Sequence, residues 1–180
     1  MTEPFRVMVC DAPWKFRDNL PGKGRGASKH YKCMTVQELC AFPLPPLADD
    51  CLLVFWRIAS MQQEALDVVK AWGFKPKAEL VWHKLTKTGS KTHFGMGHYT
   101  RASHETALIC VRGRPKIRSR SVRSVFSAPV GRHSEKPGLF YTLVQELSDG
   151  PRVALFERKH RPGFVCYGDE LPANDVEAAE

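Results

Sequence analysis

The sequence predicts an α/β domain, a mostly parallel sheet with helices on both faces. Three observations carry this. Near-continuous apolar runs recur along the chain, as strands buried on both faces require. Between some of them lie segments whose apolar residues repeat at helical spacing. The two kinds of segment alternate instead of segregating into halves. With 180 residues and 43% hydrophobic composition, the chain suits one domain with a sizeable core.

The strand candidates are 5–10, 51–56, 78–82, 106–111, 152–156 and 163–167. A helix is expected after Ser60, which with Gln63 reads as a capping box; Ala65, Leu66, Val69 and Trp72 share its apolar face and Gly73 stops it. A second runs from about Pro137 to Leu147 on a stripe of Leu139, Phe140, Leu143, Val144 and Leu147. A weaker helix begins at Thr35 and ends before Pro43. The domain is expected over 1–171. Residues 172–180, acidic and poor in apolar side chains, read as a disordered tail.

Charge narrows the class of partner. The net charge is +8, and five acids with no base follow Gly168, so residues 1–168 carry +13. A body that basic suits a polyanion. No apolar run approaches the ~20 residues of a membrane span and no export signal is evident, so a cytoplasmic, membrane-free protein is expected. The six cysteines lie far apart and read as reduced and structural. His83, His93, His98 and His104 sit at loop spacing without a zinc pattern, so no metal is expected.

Three polar stretches interrupt the scaffold: 15–32, 83–101, and 112–123, the last with six bases and no acid. Loops beyond the carboxyl ends of strands form the ligand sites of open α/β sheets. At the end of the first strand stands Asp11-Ala12-Pro13-Trp14. It suits a planar base bearing an exocyclic amine: the carboxylate accepts one amine hydrogen, the Ala12 carbonyl the other, and the indole stacks on the ring. Drawing both hydrogens away leaves the nitrogen lone pair available for attack. His104-Glu105 reads as a structural pair at a strand start.

From Asp11 to Glu170 the chain resembles the adenine-N6 methyltransferases with the Asp-Pro-Pro-Trp signature. This MT-A family includes mRNA adenosine methylase subunits and compact bacterial and phage DNA enzymes. The likeness rests on the tetrapeptide, Trp-Gly-Phe at 72–74, Trp82 and Lys84, the Gly95–Gly97 turn with Arg101, His104-Glu105 and Arg112-Gly113. It continues through His133-Ser134 with Lys136-Pro137, Leu155-Phe156 with Arg158, Gly163-Phe164, and Tyr167-Gly168 with Glu170. Ala12 departs from the signature but keeps its carbonyl, and Ala154 and Arg161 also depart.

The resemblance implies a Rossmann-like fold, permuted so that the catalytic motif precedes the cofactor-binding segments. It also implies S-adenosylmethionine as methyl donor and no metal. Asp11, Ala12, Pro13 and Trp14 are the expected catalytic residues. Asp11, Lys136, Phe156, Arg158, His160, Asp169 and Glu170 are expected at the cofactor, with Lys136 holding its carboxylate and Asp169 and Glu170 bonding ribose hydroxyls. Lys15, Lys23, Arg25, Lys84 and Arg101 are expected to clamp the substrate, and Arg112, Arg114, Lys116, Arg118 and Arg120 to meet its phosphates. The expected partner is nucleic acid, DNA before RNA, bound by a homodimer. The alternatives are the same chemistry on RNA, or a non-catalytic nucleic-acid-binding subunit.

Overall fold

The computed structural model describes residues 3–15, 33–97, 99–132, 135–168 and 171. The expectations for Lys23, Arg25, Asp169, Glu170 and the 172–180 tail lie outside these residues, as does most of the 15–32 stretch.

Among the described residues nine strands and three helices follow in the order β1 (Phe5–Cys10), α1 (Val36–Cys40), β2 (Leu47–Arg57), α2 (Gln62–Ala71), β3 (Lys75–Leu85), β4 (Gly95–Met96), β5 (Arg101–Ala102), β6 (His104–Arg112), β7 (Val125–Pro129), α3 (Gly138–Leu147), β8 (Arg152–Leu155) and β9 (Val165–Tyr167). Seven strands form one sheet in the order β7-β3-β6-β2-β1-β8-β9, and β4 pairs with β5 apart from it. The ladders β1–β2, β1–β8, β3–β7 and β8–β9 are parallel. Only β6 runs against its neighbours, antiparallel to both β2 and β3. The mostly parallel sheet therefore stands, with one reversed strand inside it.

Alternation along the central strands sorts side chains to two cores. Met8, Cys10, Leu53 and Phe55 face α1 and α2, burying Leu39, Ala65, Val68 and Val69. Val7, Val9, Val54 and Trp56 face α3, burying Phe140, Tyr141 and Val144. Both sheet faces are thus covered, which explains why β1 and β2 read as unbroken apolar runs.

α1 starts where expected and carries a capping box: Glu38 N–H donates to Thr35 Oγ1 at 3.2 Å, and Thr35 N–H donates to the Glu38 carboxylate at 2.7 Å. The expected Ser60–Gln63 box is corrected. Ser60 lies inside a 3₁₀ turn, Ala59–Met61, α2 begins without a side-chain cap, and Gln63 bonds Asp67 instead. Gly73, at φ +80°, does end the helix. In α3, Leu139 is exposed and Tyr141 takes its expected place in the core. β7 was not foreseen. It is an edge strand that buries only Phe126 and Ala128, so it shows too short an apolar pattern to stand out.

Candidate active site

β1 lies between β2 and β8, which are entered from helices on opposite faces of the sheet, and a crevice opens beyond its carboxyl end. Asp11 is the first residue past that end. The tetrapeptide is held rigidly by backbone bonds: Met34 N–H donates to Pro13 O at 2.7 Å, and Lys15 N–H donates to Met34 O at 2.9 Å. Trp14 N–H donates to Ala12 O at 2.9 Å, which leaves one lone pair of that carbonyl for a ligand.

A chain of charges crosses the crevice. Lys136, buried just before α3, donates to Asp11 Oδ2 at 2.7 Å and pairs with Glu105 Oε2 at 3.3 Å. Glu105 Oε1 in turn meets Lys84 Nζ at 2.6 Å. Each lysine also sits over an indole, Lys136 at 5.1 Å from the Trp56 ring and Lys84 at 5.4 Å from Trp82. Burial opposes the Lys136 charge, but Asp11 and Glu105 outweigh it and raise its pKa. Burial likewise pushes the Glu105 carboxyl up, and Lys136 and Lys84 overcome it to hold the group below its usual value. Glu105 and Lys136 thus hold each other in their charged forms.

Beside this chain lies a cavity of about 500 Å³, lined by Asp11, Lys136, Phe156, Arg158 and a buried cluster of Tyr141, Glu157 and Arg161. Tyr141 OH donates to the Glu157 carboxylate, as does Arg161 Nε at 3.1 Å, and the guanidinium lies 4.1 Å from the Tyr141 ring centre. Arg161 also donates to Lys136 O at 3.4 Å, tying the cluster to the catalytic side. Phe156 stands at φ +61°, a strained backbone for a residue with a side chain, with its ring 4.9 Å from Phe42. A second hollow of about 410 Å³, running over 127–131, meets the first at Glu135 and Lys136.

Asp11, Lys136, Phe156 and Arg158 thus share one cavity, and Lys84 joins them through Glu105. His160 is half-buried nearby; its Nε2 is enclosed without a hydrogen-bond partner among the described residues. Lys15 and Arg101 are exposed, with Arg101 Nη1 against Met96 Sδ at 3.0 Å.

Three expectations need correction. Trp14 is only 4% exposed, its ring edge-on to Phe55 at 5.7 Å, so in this arrangement it offers no open face for stacking. Glu105 does not pair with His104: the two face opposite sides of β6, and Glu105 belongs to the charge chain. The 112–123 stretch does not flank the motif. Because β6 is antiparallel, it delivers the start of this stretch to the amino ends of the other strands, and the chain then returns along β3 to Ser124, whose carbonyl accepts from Val81 N–H at 2.7 Å. Arg112 donates at the amino ends to Leu47 O and Ala48 O at 3.0 and 2.7 Å and lies against the Phe74 ring, which makes it a fastening of the fold. Arg114, Lys116 and Arg118 are exposed at the same far end, and Arg120 is exposed on the way back.

Sequence reasoning missed Glu105, Glu157 and Tyr141 as site residues. The Glu157–Arg161 spacing of four was the one local signal for the buried pair.

The MT-A70 family profile matches residues 5–170. Over 172 residues the chain is 30% identical to the N(6)-adenosine-methyltransferase MT-A70-like protein of Drosophila melanogaster, covering 93% of this chain and 27% of that one. The human N(6)-adenosine-methyltransferase catalytic subunit METTL3 is 27% identical over 172 residues, covering 93% and 28%. The Type II methyltransferase M.MunI of Mycoplasma sp is 26% identical over 194 residues, covering 96% and 80%. The chain spans little more than a quarter of the two animal relatives. With a match over nearly its whole length, the chain belongs to the MT-A70 family.

Proposed function

We propose that the chain is an adenine-N6 methyltransferase that takes its methyl group from S-adenosylmethionine and acts on DNA. The observation that carries this is the 2.7 Å bond between Lys136 and Asp11, which joins the family's cofactor-binding lysine and its catalytic carboxylate at one cavity.

The residues present fit the cofactor. The cavity is of ligand size and mixes buried charge with an aromatic wall. Lys136 would hold the carboxylate of the methionine moiety, Phe156 would line its path, and the enclosed, unpartnered His160 Nε2 would bond a polar group of the ribose or methionine part. When bound, the cofactor supplies an electrophilic methyl on a sulfonium. The chain does the rest. Asp11 Oδ2 is held by Lys136, leaving Oδ1 to accept one N6 hydrogen, while the spare lone pair of Ala12 O accepts the other. This fixes the amine with its lone pair outward, and Asp11 Oδ1 is the nearest base for the proton released. Burial of Lys136 excludes water on this side and strengthens the electrostatics.

The adenine must be flipped out or unpaired to enter such a crevice. DNA is favoured over RNA because the chain takes in 80% of the compact type II methyltransferase. Among the described residues no helix is long and apolar enough to cross a membrane.

The test is mass spectrometry of nucleosides after incubation with labelled S-adenosylmethionine and, separately, mixed-sequence duplex DNA, single-stranded DNA and RNA. Labelled N6-methyladenine from DNA is expected. Label from RNA alone would move the substrate assignment, and cofactor that binds to no measurable extent would favour the non-catalytic subunit. Asp11→Ala should lower turnover at least about a thousandfold with the fold intact; undiminished activity in a clean preparation sinks the assignment.

A further inference from the structure

The third basic stretch has lost its place beside the catalytic motif, and its position at the far end of the sheet points elsewhere. Arg114, Lys116, Arg118, Arg120 and Arg123 are all exposed, yet the segment is not a loose loop. Arg114 N–H donates to Asp50 Oδ1 at 2.6 Å, Arg118 N–H to Leu147 O at 2.9 Å, and Ser148 Oγ to Lys116 O at 3.0 Å. The segment is therefore fastened to the start of β2 and to the end of α3, and it presents its cations as a fixed ridge. Arg118 is paired with Asp149 at 3.2 Å. The side chains of Arg114, Lys116, Arg120 and Arg123 meet no carboxylate among the described residues. Glu3, Asp49, Asp50, Glu146 and Asp149 are acids at this end, and Glu3 is paired with Arg6; exposed Lys75 and Lys77 at the start of β3 keep the balance positive.

We infer that this ridge is a second nucleic-acid contact, gripping the backbone of the substrate strand well beyond the target base. The inference rests on the reading that the substrate is nucleic acid. Fixed, unpaired guanidinium and ammonium groups on a rigid support match a line of phosphates and carry no base information. The geometry sets a length. From Glu105, in the site, to Arg112, where the ridge begins, β6 advances seven residues, or about 23 Å. At ~3.4 Å per stacked nucleotide the backbone continues about seven nucleotides past the flipped adenine to reach the ridge, and fewer where the strand is stretched. Short substrates are methylated without it, and long ones are held by it.

The experiment compares the unaltered protein with a variant carrying Arg114→Ser, Lys116→Ser and Arg120→Ser; Arg123 is left in place, because Ser124 O accepts from Val81 N–H and so lies nearer the level of the site. Label transfer is measured on mixed-sequence single-stranded DNA of 5 and of 30 nucleotides. The 30-nucleotide KM should rise tenfold or more in the variant. The slope of log affinity against log salt should fall by about two, near 0.7 per lost phosphate contact. With 5 nucleotides kcat/KM should stay within twofold. Replacing Arg114 and Arg120 by lysine, with Lys116 kept, should restore the long-substrate KM, because phosphates read charge. An unchanged 30-nucleotide KM overturns the inference, and so does a parallel loss on both lengths. If the unaltered protein labels neither DNA, the proposed function has failed. The ridge is then read alone by fluorescence anisotropy with the 30-nucleotide DNA, where weaker binding and a shallower slope in the variant support it and equal binding overturns it.

Discussion

The two ends of the sheet carry the same residue types in opposite states. At the carboxyl ends, Lys84, Glu105, Lys136 and Asp11 form a connected line of charges, buried deepest at Lys136. At the amino ends, Arg114, Lys116 and Arg118 are exposed, and Arg118–Asp149 is an ion pair open to water on both sides. Removing a charge from the first set leaves a partner stranded in a low dielectric, whereas removing one from the second changes only the surface potential. A lysine or arginine in the sequence is therefore not yet a function; its partner and its burial decide which chemistry it can do.

Steric probes should separate the two ends most strongly. A Cβ on Gly168 would lie 1.9 Å from the carbonyl oxygen of Glu157, backbone against backbone, where no rotamer gives relief. Gly168→Ala should cost about 3 kcal/mol or more and abolish cofactor binding, because Glu157 anchors the wall of the cavity. At the far end, Gly113 sits at φ +61°, and a Cβ there meets Asp50 Oδ1 at 2.2 Å and Asp49 O at 2.6 Å. Gly113→Ala should destabilise by about 2 to 3 kcal/mol, since the Asp50 side chain can swing away while the Asp49 carbonyl and the left-handed backbone cannot. Its folded fraction should bind cofactor normally. Thermal melts and calorimetry on both variants check this, and equal loss of cofactor binding would mean the ends are not independent.

Glu105→Gln probes the charge chain itself. It removes one acidic partner from each lysine, and the cofactor dissociation constant should rise about tenfold, the scale of one charge-assisted hydrogen bond. The pH dependence carries the sharper signature. Glu105 is held below its ordinary value, so its contribution is present above that value and lost as pH falls through the lowered one. Lys136 is raised, so its contribution is complete below its ordinary value and lost as pH rises through the raised one. Glu105 and Lys136 should therefore add no pH dependence to cofactor affinity between about pH 5 and 10 in the unaltered protein. In Glu105→Gln, Lys136 keeps Asp11 but faces burial and Lys84 with one acid fewer, and the alkaline loss should begin at lower pH. Superimposable profiles would reduce Glu105 to a packing residue. Lys84→Gln should have a smaller effect, two- to threefold, because Glu105 still has Lys136.

How much of this was legible follows from which interactions are local. Strands β1, β2 and β6 announced themselves because covered sheet faces demand unbroken apolar runs, and Thr35 with Glu38 made the cap its spacing allows. Asp11 was legible because its chemistry sits within four residues. Glu105 was not: Lys84 and Lys136 lie 21 and 31 residues away, and the β3–β6 register, which sets Trp82 opposite Glu105, brings the first of them near. The reversal of β6 was equally invisible, and it is what carried the start of the 112–123 stretch away from the motif. Trp14 misled for a different reason. An aromatic after a catalytic acid reads the same whether it faces substrate or, as here, the edge of Phe55.

The smallest effect belongs to Arg118→Ala, and its smallness is the point. The Arg118–Asp149 pair spans 3.2 Å, but the two side chains are 61% and 64% exposed. Water and salt screen such a pair, and holding two mobile side chains together offsets most of the attraction, so the loss should be below about 0.5 kcal/mol. For a domain of this size that is a melting shift of no more than about 2 °C, vanishing in high salt. The backbone bond from Arg118 to Leu147 survives the substitution, so the ridge keeps its position. A loss above about 1.5 kcal/mol would show that this arginine fastens the segment to α3 much as Arg112 fastens β6 to the start of β2. The far end of the sheet would then be structural scaffold, and the contrast between buried, connected charge and exposed, available charge would fail where it is easiest to measure.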